Sequence, residues 1–395
     1  MQVPGLGLSP DAARIVAVQA ARAFVYGLGS VLIGVTLAAR GLSGAEVGGV
    51  LAALLAGTAI VSVLLARYGD RVGRRRFYVL LLVAMGGSGT VLALTGWVPA
   101  LVLAALTGTV STDVLESGPF TSLEQAMLPH AGDRRDPTRL FGVYNVIATL
   151  AGSVGALAAA GTKLVGGGQH WLLAYPVAAA LALPFAAGLS PAVEGGRELE
   201  AEPRPPLHRS RRIVLQLSGL FALDSFGGGF VVQTFVAYLF ARKFGASAAT
   251  LGVVFFAVGI LQALSFQAAV RLSERIGLLR TMVFTHFPSN ILLGAIAFAP
   301  NLPTAISLLL ARFVLSQMDV PTRQAYVVMV VDPSERTAAS AYTNTSRYLV
   351  RPIAPLAAAP LIQAWLGAPF LVAGVLKSLY DAGLYALFKD VKLAR

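Results

Sequence analysis

The stretch Ala66–Arg76, reading Ala-Arg-Tyr-Gly-Asp-Arg-Val-Gly-Arg-Arg-Arg, sets five arginines and one aspartate between two long apolar runs. Charge at that density cannot remain in hydrocarbon, so the stretch has to be a turn where the chain leaves a bilayer and at once re-enters it. A weaker copy follows at Arg271–Arg280, again between apolar runs. With 56% hydrophobic and 13% charged residues and a mean hydropathy of +0.72, the whole chain reads as an all-α integral membrane protein. The formal charge of +12 falls in short clusters between apolar segments, a pattern of cytoplasmic loops rather than of a nucleic-acid-binding face. The absence of cysteine excludes disulfides, thiolate chemistry and Cys-ligated metals. Ahead of the first apolar run there is neither a basic region nor a small-residue cleavage site, so no cleaved signal peptide is expected.

A span needs about 20 mostly apolar residues. Twelve such runs are expected, at 12–39, 46–67, 77–96, 98–127, 140–163, 170–190, 213–241, 248–270, 281–299, 303–330, 338–364 and 368–388. With the N-terminus inside, the inner loops and tail carry twenty Lys and Arg residues against four outside, namely Arg40, Lys163, Arg242 and Lys243. Both termini are therefore expected in the cytoplasm, in a multi-pass protein of the cell inner (plasma) membrane. The one long hydrophilic connection runs over 191–212, with four glutamates followed by four arginines. It reads as a solvated linker between a six-helix half at 1–190 and a second at 213–395. The halves repeat: Asp70, Gly73 and Arg76 match Glu274, Gly277 and Arg280 at an offset of 204, and Gln125 and Asn145 match Gln324 and Asn344 at 199.

This motif and topology resemble those of the major facilitator superfamily. The family signature between helices 2 and 3 is Gly-x-x-x-Asp-Arg-x-Gly-Arg-(Arg or Lys), and Ala66, Asp70, Arg71, Gly73, Arg74 and Arg75 occupy its places, with alanine for the first glycine. The resemblance implies twelve transmembrane helices in two pseudo-symmetric halves that rock about a site at the bilayer midplane. It also implies a cytoplasmic gate latch, assigned to Asp70, Arg71, Gly73 and Arg74 and to their echo Glu274 and Arg275. The family's glycine-rich antiporter pattern on helix 5 is represented only by Gly152-Ser153-Val154-Gly155.

Charges at bilayer depth are expensive, so each marks a functional position. The repeat sets Arg22 on helix 1 opposite Asp224 on helix 7, and Asp113 on helix 4 opposite Arg312 on helix 10. Buried pairs Arg22 with Asp113, and Asp224 with Arg312, are therefore expected, for proton coupling or for structure alone. Glu116 is the proton carrier suggested by an unpaired carboxyl in low dielectric, while Glu124 is placed at the inner interface. Lys377 and Asp381, four apart on helix 12, read as a local pair. Gly227, Gly228 and Gly229 after Asp224 invite a bend. Arg347 and Arg351 share a face of helix 11 and have three alternatives: an anionic substrate, Asp319, or lipid headgroups. Tyr26, Asn145, Gln233, Asp319, Gln324 and Asn344 complete the expected substrate cavity.

The four histidines are scattered, no metal-ligand spacing and no P-loop occurs, and Gly166-Gly167-Gly168 lies in an outer loop. No cofactor, no metal and no enzymatic activity are expected. The leading expectation is a secondary active transporter working by alternating access, with proton-coupled efflux of small organic or drug-like molecules. Transport of a small organic anion, a carboxylate or phosphate ester, is the alternative, and a non-transporting receptor the remote one. The partners expected are a small-molecule substrate, protons and the lipid bilayer around a monomer.

Overall fold

The structure, a computed structural model, describes residues 8–111, 118–131, 137–162, 166, 168–194, 207–332 and 335–391. With no water to satisfy backbone groups in hydrocarbon, each crossing has to be helical. The helices are α1 (Pro10–Ala39), α2 (Gly44–Val72), α3 (Arg74–Leu94), α4 (Val98–Leu106), α5 (Pro119–Ala131), α6 (Pro137–Gly161), α7 (Ala174–Ala187), α8 (Arg211–Gly229), α9 (Gln233–Phe244), α10 (Ala248–Ile276), α11 (Leu278–Ile296), α12 (Leu302–Ser316), α13 (Asp319–Val330), α14 (Arg336–Val350), α15 (Ile353–Ala364) and α16 (Ala368–Phe388). They make twelve spans. α4 with α5 forms span 4, α8 with α9 span 7, α12 with α13 span 10, and α14 with α15 span 11; the others are single helices, with a 3-10 turn at Gln169–Leu173 opening span 6.

Spans 7, 10 and 11 are interrupted, and in spans 7 and 11 the break falls where the sequence weakens a helix. The break in span 7 at Phe230–Val232 follows the three glycines, and that in span 11 falls at Arg351-Pro352, where proline lacks an N–H. Among the described residues eight segments are long and apolar enough to cross a membrane by themselves. The remaining four, spans 4, 9, 10 and 11, are those shortened by breaks or carrying polar residues. Large apolar side chains such as Leu80, Leu103, Leu181, Phe298 and Leu349 point outward from the bundle, a surface suited to lipid.

Two turns are built alike. Gly73 (φ +94°) joins α2 to α3, and Gly277 (φ +84°) joins α10 to α11, both in a region that favours glycine. The repeat at offset 204 thus preserves a backbone requirement as well as charges. Both turns lie on the basic face of the bundle, which also carries the first and last described residues and the described residues that flank the linker. Glu194 and Glu335 act there as carboxylate caps. Glu194 accepts from the backbone N–H groups of Arg74 (2.6 Å) and Arg75 (3.2 Å), at the start of α3. Glu335 accepts from those of His208 (2.6 Å), Arg209 (3.0 Å) and Ser210 (2.8 Å), just ahead of α8. The backbone N–H of His208, with that of Ser210 and its hydroxyl, holds the Glu335 carboxyl down to about 2.

Helices α1–α7 meet α8–α16 mainly toward the opposite face. A Cβ on Gly34 of α1 would fall 2.4 Å from the carbonyl oxygen of Thr234 in α9, and one on Gly48 of α2 would fall 2.5 Å from that of Pro355 in α15. A Cβ on Gly252 of α10 would likewise fall 2.5 Å from the carbonyl oxygen of Ala156 in α6. Small residues let these backbones touch, as close helix packing in a membrane requires. Toward the basic face the polar residues Gln125, Asn145, Gln324 and Asn344 are exposed. The bundle is closed at the opposite face and parted at the basic face.

Replacing Gly34 by Leu forces α1 from α9, so Ala237→Cys, buried there in the parent, reacts several-fold faster with a water-soluble maleimide; the cysteine-free chain supplies no background. Glu335→Gln lowers the Tm at neutral pH. Because the folded-state pKa of Glu335 is depressed, its contribution is complete above the ordinary glutamate range and is lost as pH falls toward about 2. The gap between the two melting curves therefore narrows on acidification.

Candidate functional site

Two buried charge clusters occupy the interior, one in each set of helices. In the first, the guanidinium of Arg22 on α1 donates to Glu124 on α5 at 2.7 Å. The other carboxylate oxygen accepts from the hydroxyl of Tyr78 on α3 at 2.7 Å, and Tyr144 on α6 also donates to the carboxylate. Arg22 lies between the rings of Tyr26 and Phe120, at 5.2 and 5.1 Å. Glu124 is fully buried and Arg22 nearly so. A pair held this way by two phenols and two ring faces recovers part of its desolvation cost through hydrogen bonds and ring contacts.

The second cluster is larger. Asp224 on α8 accepts from Lys377 on α16, lies 3.5 Å from Arg323 on α13, and is 4.0 Å from both Arg347 on α14 and His286 on α11. Arg323 also donates to Asp319 at 2.7 Å, and His286 Nδ1 faces both oxygens of Asp381 on α16 at 2.9 and 3.0 Å. Asn290, one turn from His286, donates to Asp381 at 2.8 Å. Five helices thus converge on one carboxylate. Helical spacing makes this possible, because Asp319 with Arg323, His286 with Asn290, and Lys377 with Asp381 are each four apart and share a face.

The expected pairing of helix 1 with 4, and 7 with 10, recurs in altered form. Arg22 pairs with Glu124, whereas Asp113 and Glu116 lie outside the described residues. Asp224 pairs on helix 10 with Arg323, and Arg312 is not among its partners; this corrects the expected Asp224–Arg312 pair. Arg312 is buried and lies 4.8 Å over the ring of Phe313. Glu124 and Arg323 are related by the same offset of 199 that relates Asp113 to Arg312, so the symmetry argument applies three turns further along each helix. Two other expectations fail. Glu124 is in the core rather than at an interface, and Lys377 and Asp381 turn away from each other toward Asp224 and His286.

Of the expected cavity residues, Tyr26 donates to the carbonyl of Thr109 at 2.7 Å, and Gln233 donates to Ser30 Oγ at 2.9 Å, bridging α9 and α1. Beside Gln233 a small crevice between α6 and α10 is lined by Thr149, Ser153, Phe255, Gly259 and Gln262. Asn145, Gln324 and Asn344 are exposed toward the basic face, Asp319 is buried against Arg323, and Arg351 closes α14. Arg347 is half-buried with its Nε unpartnered. Of the latch residues, Arg71, Glu274 and Arg275 are exposed, Gly73 forms the turn, and Arg74 donates to the carbonyl of Ala126 at 3.1 Å. The side chain of Asp70 lies outside the described residues. His286, Asn290 and Tyr78 were missed by the sequence argument. The only signal was the i, i+4 spacing of His286 and Asn290 within an otherwise apolar run.

A twelve-span bundle in two sets of helices, closed at one face and with buried charges at depth, is that of a polytopic membrane protein. Residues 16–355 match the model of the Major Facilitator Superfamily, and the chain belongs to that family. It is 25% identical to an uncharacterized membrane protein of Saccharomyces cerevisiae, across 94% of this chain and 92% of that protein. In fold it is similar to the nucleoside transporter NupG (TM-score 0.77, 14% identity, 96% of this chain and 99% of that one). It is also similar to an inward-open conformation of the xylose transporter XylE from E. coli (TM-score 0.73, 14% identity, 97% of both chains). The protein is a transporter of small molecules and not an enzyme.

Neutralising Asp224 tests the second cluster. Asp224→Asn leaves Lys377, Arg323 and Arg347 facing an uncharged side chain, a cost of about 3–5 kcal/mol. A marked fall in Tm is expected in nanodiscs, with partial recovery in the double variant Asp224→Asn/Lys377→Met.

Proposed function

We propose that the protein is a proton-coupled secondary transporter that exports small organic molecules by alternating access. The observation that carries this is the convergence of Lys377, Arg323, Arg347 and His286 on the single buried carboxylate of Asp224. Such a hub has several partners for one anion, so a change in protonation or in helix position exchanges one partner for another at small net cost. The first cluster has no such alternatives and serves as the rigid counterpart. Helices α1–α7 and α8–α16 are the two bodies that rock, joined by the linker at 191–212. The arginine-rich turns support a reading in which the basic face is cytoplasmic and the protein sits in the cell's inner membrane. The parted face is then the cytoplasmic one, the side from which an exporter loads. Asp70, Arg71 and Arg74 act with Glu274 and Arg275 as the latch that closes this face in the other state.

A second reading, transport of a small organic anion, is favoured by Arg347. Its guanidinium is part exposed beside the hub, with Nε unpartnered, and a carboxylate or phosphate can take both faces of such a fork.

In proteoliposomes containing a trapped pH dye, lipophilic cations and small carboxylates or phosphate esters are added in turn. Proton movement driven by the cations supports export, and movement driven only by anions supports the second reading. Solute transport with no pH change in any case rules out coupling. Asp70→Asn is expected to fold and bind a transported solute while losing turnover; normal turnover removes the latch.

A further inference from the structure

His286 stands between two carboxylates. Its Nδ1 lies 2.9 Å from Asp381 Oδ1, so a proton must sit between that nitrogen and the carboxylate. Its Nε2 faces Asp224 Oδ1 at 4.0 Å, too far for a direct hydrogen bond. That same oxygen accepts from Lys377 Nζ. Around the imidazole, α16 presents Asp381, Lys377 and Tyr380, α8 presents Asp224, α13 presents Asp319 and Arg323, and α14 presents Arg347. Of the other helices packed on α11, α12 carries Arg312, and α10 carries Arg271, Glu274 and Arg275, exposed at its end. With the ring singly protonated, three carboxylates balance Arg323, Arg347 and Lys377, and the cluster is neutral. A further proton on the ring goes to Nε2, on the side of Asp224.

We propose that His286 is the residue that binds the coupled proton, and that its Nε2–H, once formed, takes Asp224 Oδ1 from Lys377 and so releases the bend in span 7. The proposal rests on the proton-coupled reading above. In the step, a proton from water on the side of half-exposed Arg347 bonds to Nε2, and the imidazolium is then held between Asp381 and Asp224. Lys377, now facing less negative charge, withdraws. Its stem lies against the glycine run, and a Cβ on Gly227 would meet Lys377 Cγ at 3.0 Å. The run ends at the break between α8 and α9, the helix pair that joins the hub to the closed opposite face through Thr234 and Gly34. Movement of Lys377 is thus passed to the contact that must open. The histidine and the carboxylate at its Nδ1 lie on spans 9 and 12, outside the expected cavity residues.

Two measurements on the full chain in nanodiscs test this without a known solute. With 15N-labelled histidine, the His286 resonance is assigned by its loss in His286→Gln. As the pH is raised it is expected to pass from the doubly protonated ring to a single tautomer, and Asp381→Asn should abolish the doubly protonated form. Separately, the maleimide labelling rate of Ala237→Cys, divided at each pH by the rate of a free thiol so that thiol ionisation cancels, should change with pH in the parent and not in His286→Gln. A single neutral tautomer at every pH, or a labelling ratio to the free thiol that still varies with pH in His286→Gln, overturns the proposal. Should His286→Gln fail to fold, the Asp381→Asn spectrum decides. If both signatures appear but no solute drives a pH change in liposomes, the proton site stands and the coupling reading falls. If solute-driven pH change survives in His286→Gln, coupling stands and the assignment to His286 falls.

Discussion

A charge inside a helical bundle surrounded by lipid has to find an opposite charge, and the interior is arranged around that need. Arg22 finds Glu124, and Asp224 finds Lys377 and Arg323. Each contact ties together spans that are distant in sequence, so the pairs fix the packing of helices whose apolar surfaces alone are interchangeable with lipid. The polarity is reversed between the two sets of helices, with the arginine on span 1 in one and on span 10 in the other. A duplicated scaffold thereby keeps its geometry while its two cores differ in chemistry.

That difference separates a fixed core from one able to rearrange. The Arg22–Glu124 pair is enclosed by Tyr78, Tyr144, Tyr26 and Phe120, with each carboxylate oxygen accepting from a phenol. The Asp224 cluster has more cations than one carboxylate can hold closely, and its distances grade from hydrogen-bonded Lys377 to 4.0 Å for Arg347 and His286. Surplus partners at graded distances are what a two-state element needs, since exchanging them leaves no charge stranded. The glycine run beside Lys377 and the break at Phe230–Val232 supply the mechanical counterpart.

The closed face is made differently, by glycines whose missing side chains let carbonyl groups of the facing helix approach. Such contacts are strong in van der Waals terms and contain no salt bridge, so they can separate without desolvating a charge. The basic face relies on charge. Glu194 and Glu335 each hold the start of a helix by its backbone amides, at the two ends of the linker region.

Much of the fold was legible in the chain. Apolar runs, broken by arginine-rich turns, determined the number of crossings, because length and hydropathy are properties of each segment alone. The repeat of Gly73 as Gly277 was visible too, and it marks a backbone conformation that few other residues adopt. The helix pairs that share buried charge followed from symmetry, but the residues did not. Asp113 and Arg312 satisfy the repeat as well as Glu124 and Arg323 do, and only the depth and rotation of packed helices choose between them. Lys377 and Asp381 looked like a local pair by spacing, yet each faces a different helix. His286 was unremarkable among four scattered histidines until two helices, α8 and α16, placed carboxylates on both sides of its ring. The sequence by itself determined where the chain crosses the membrane and which spans carry charge. Which charges meet was decided by the tertiary structure, since a buried ion pair depends on the orientation of two helices at once and neither helix encodes the other's position.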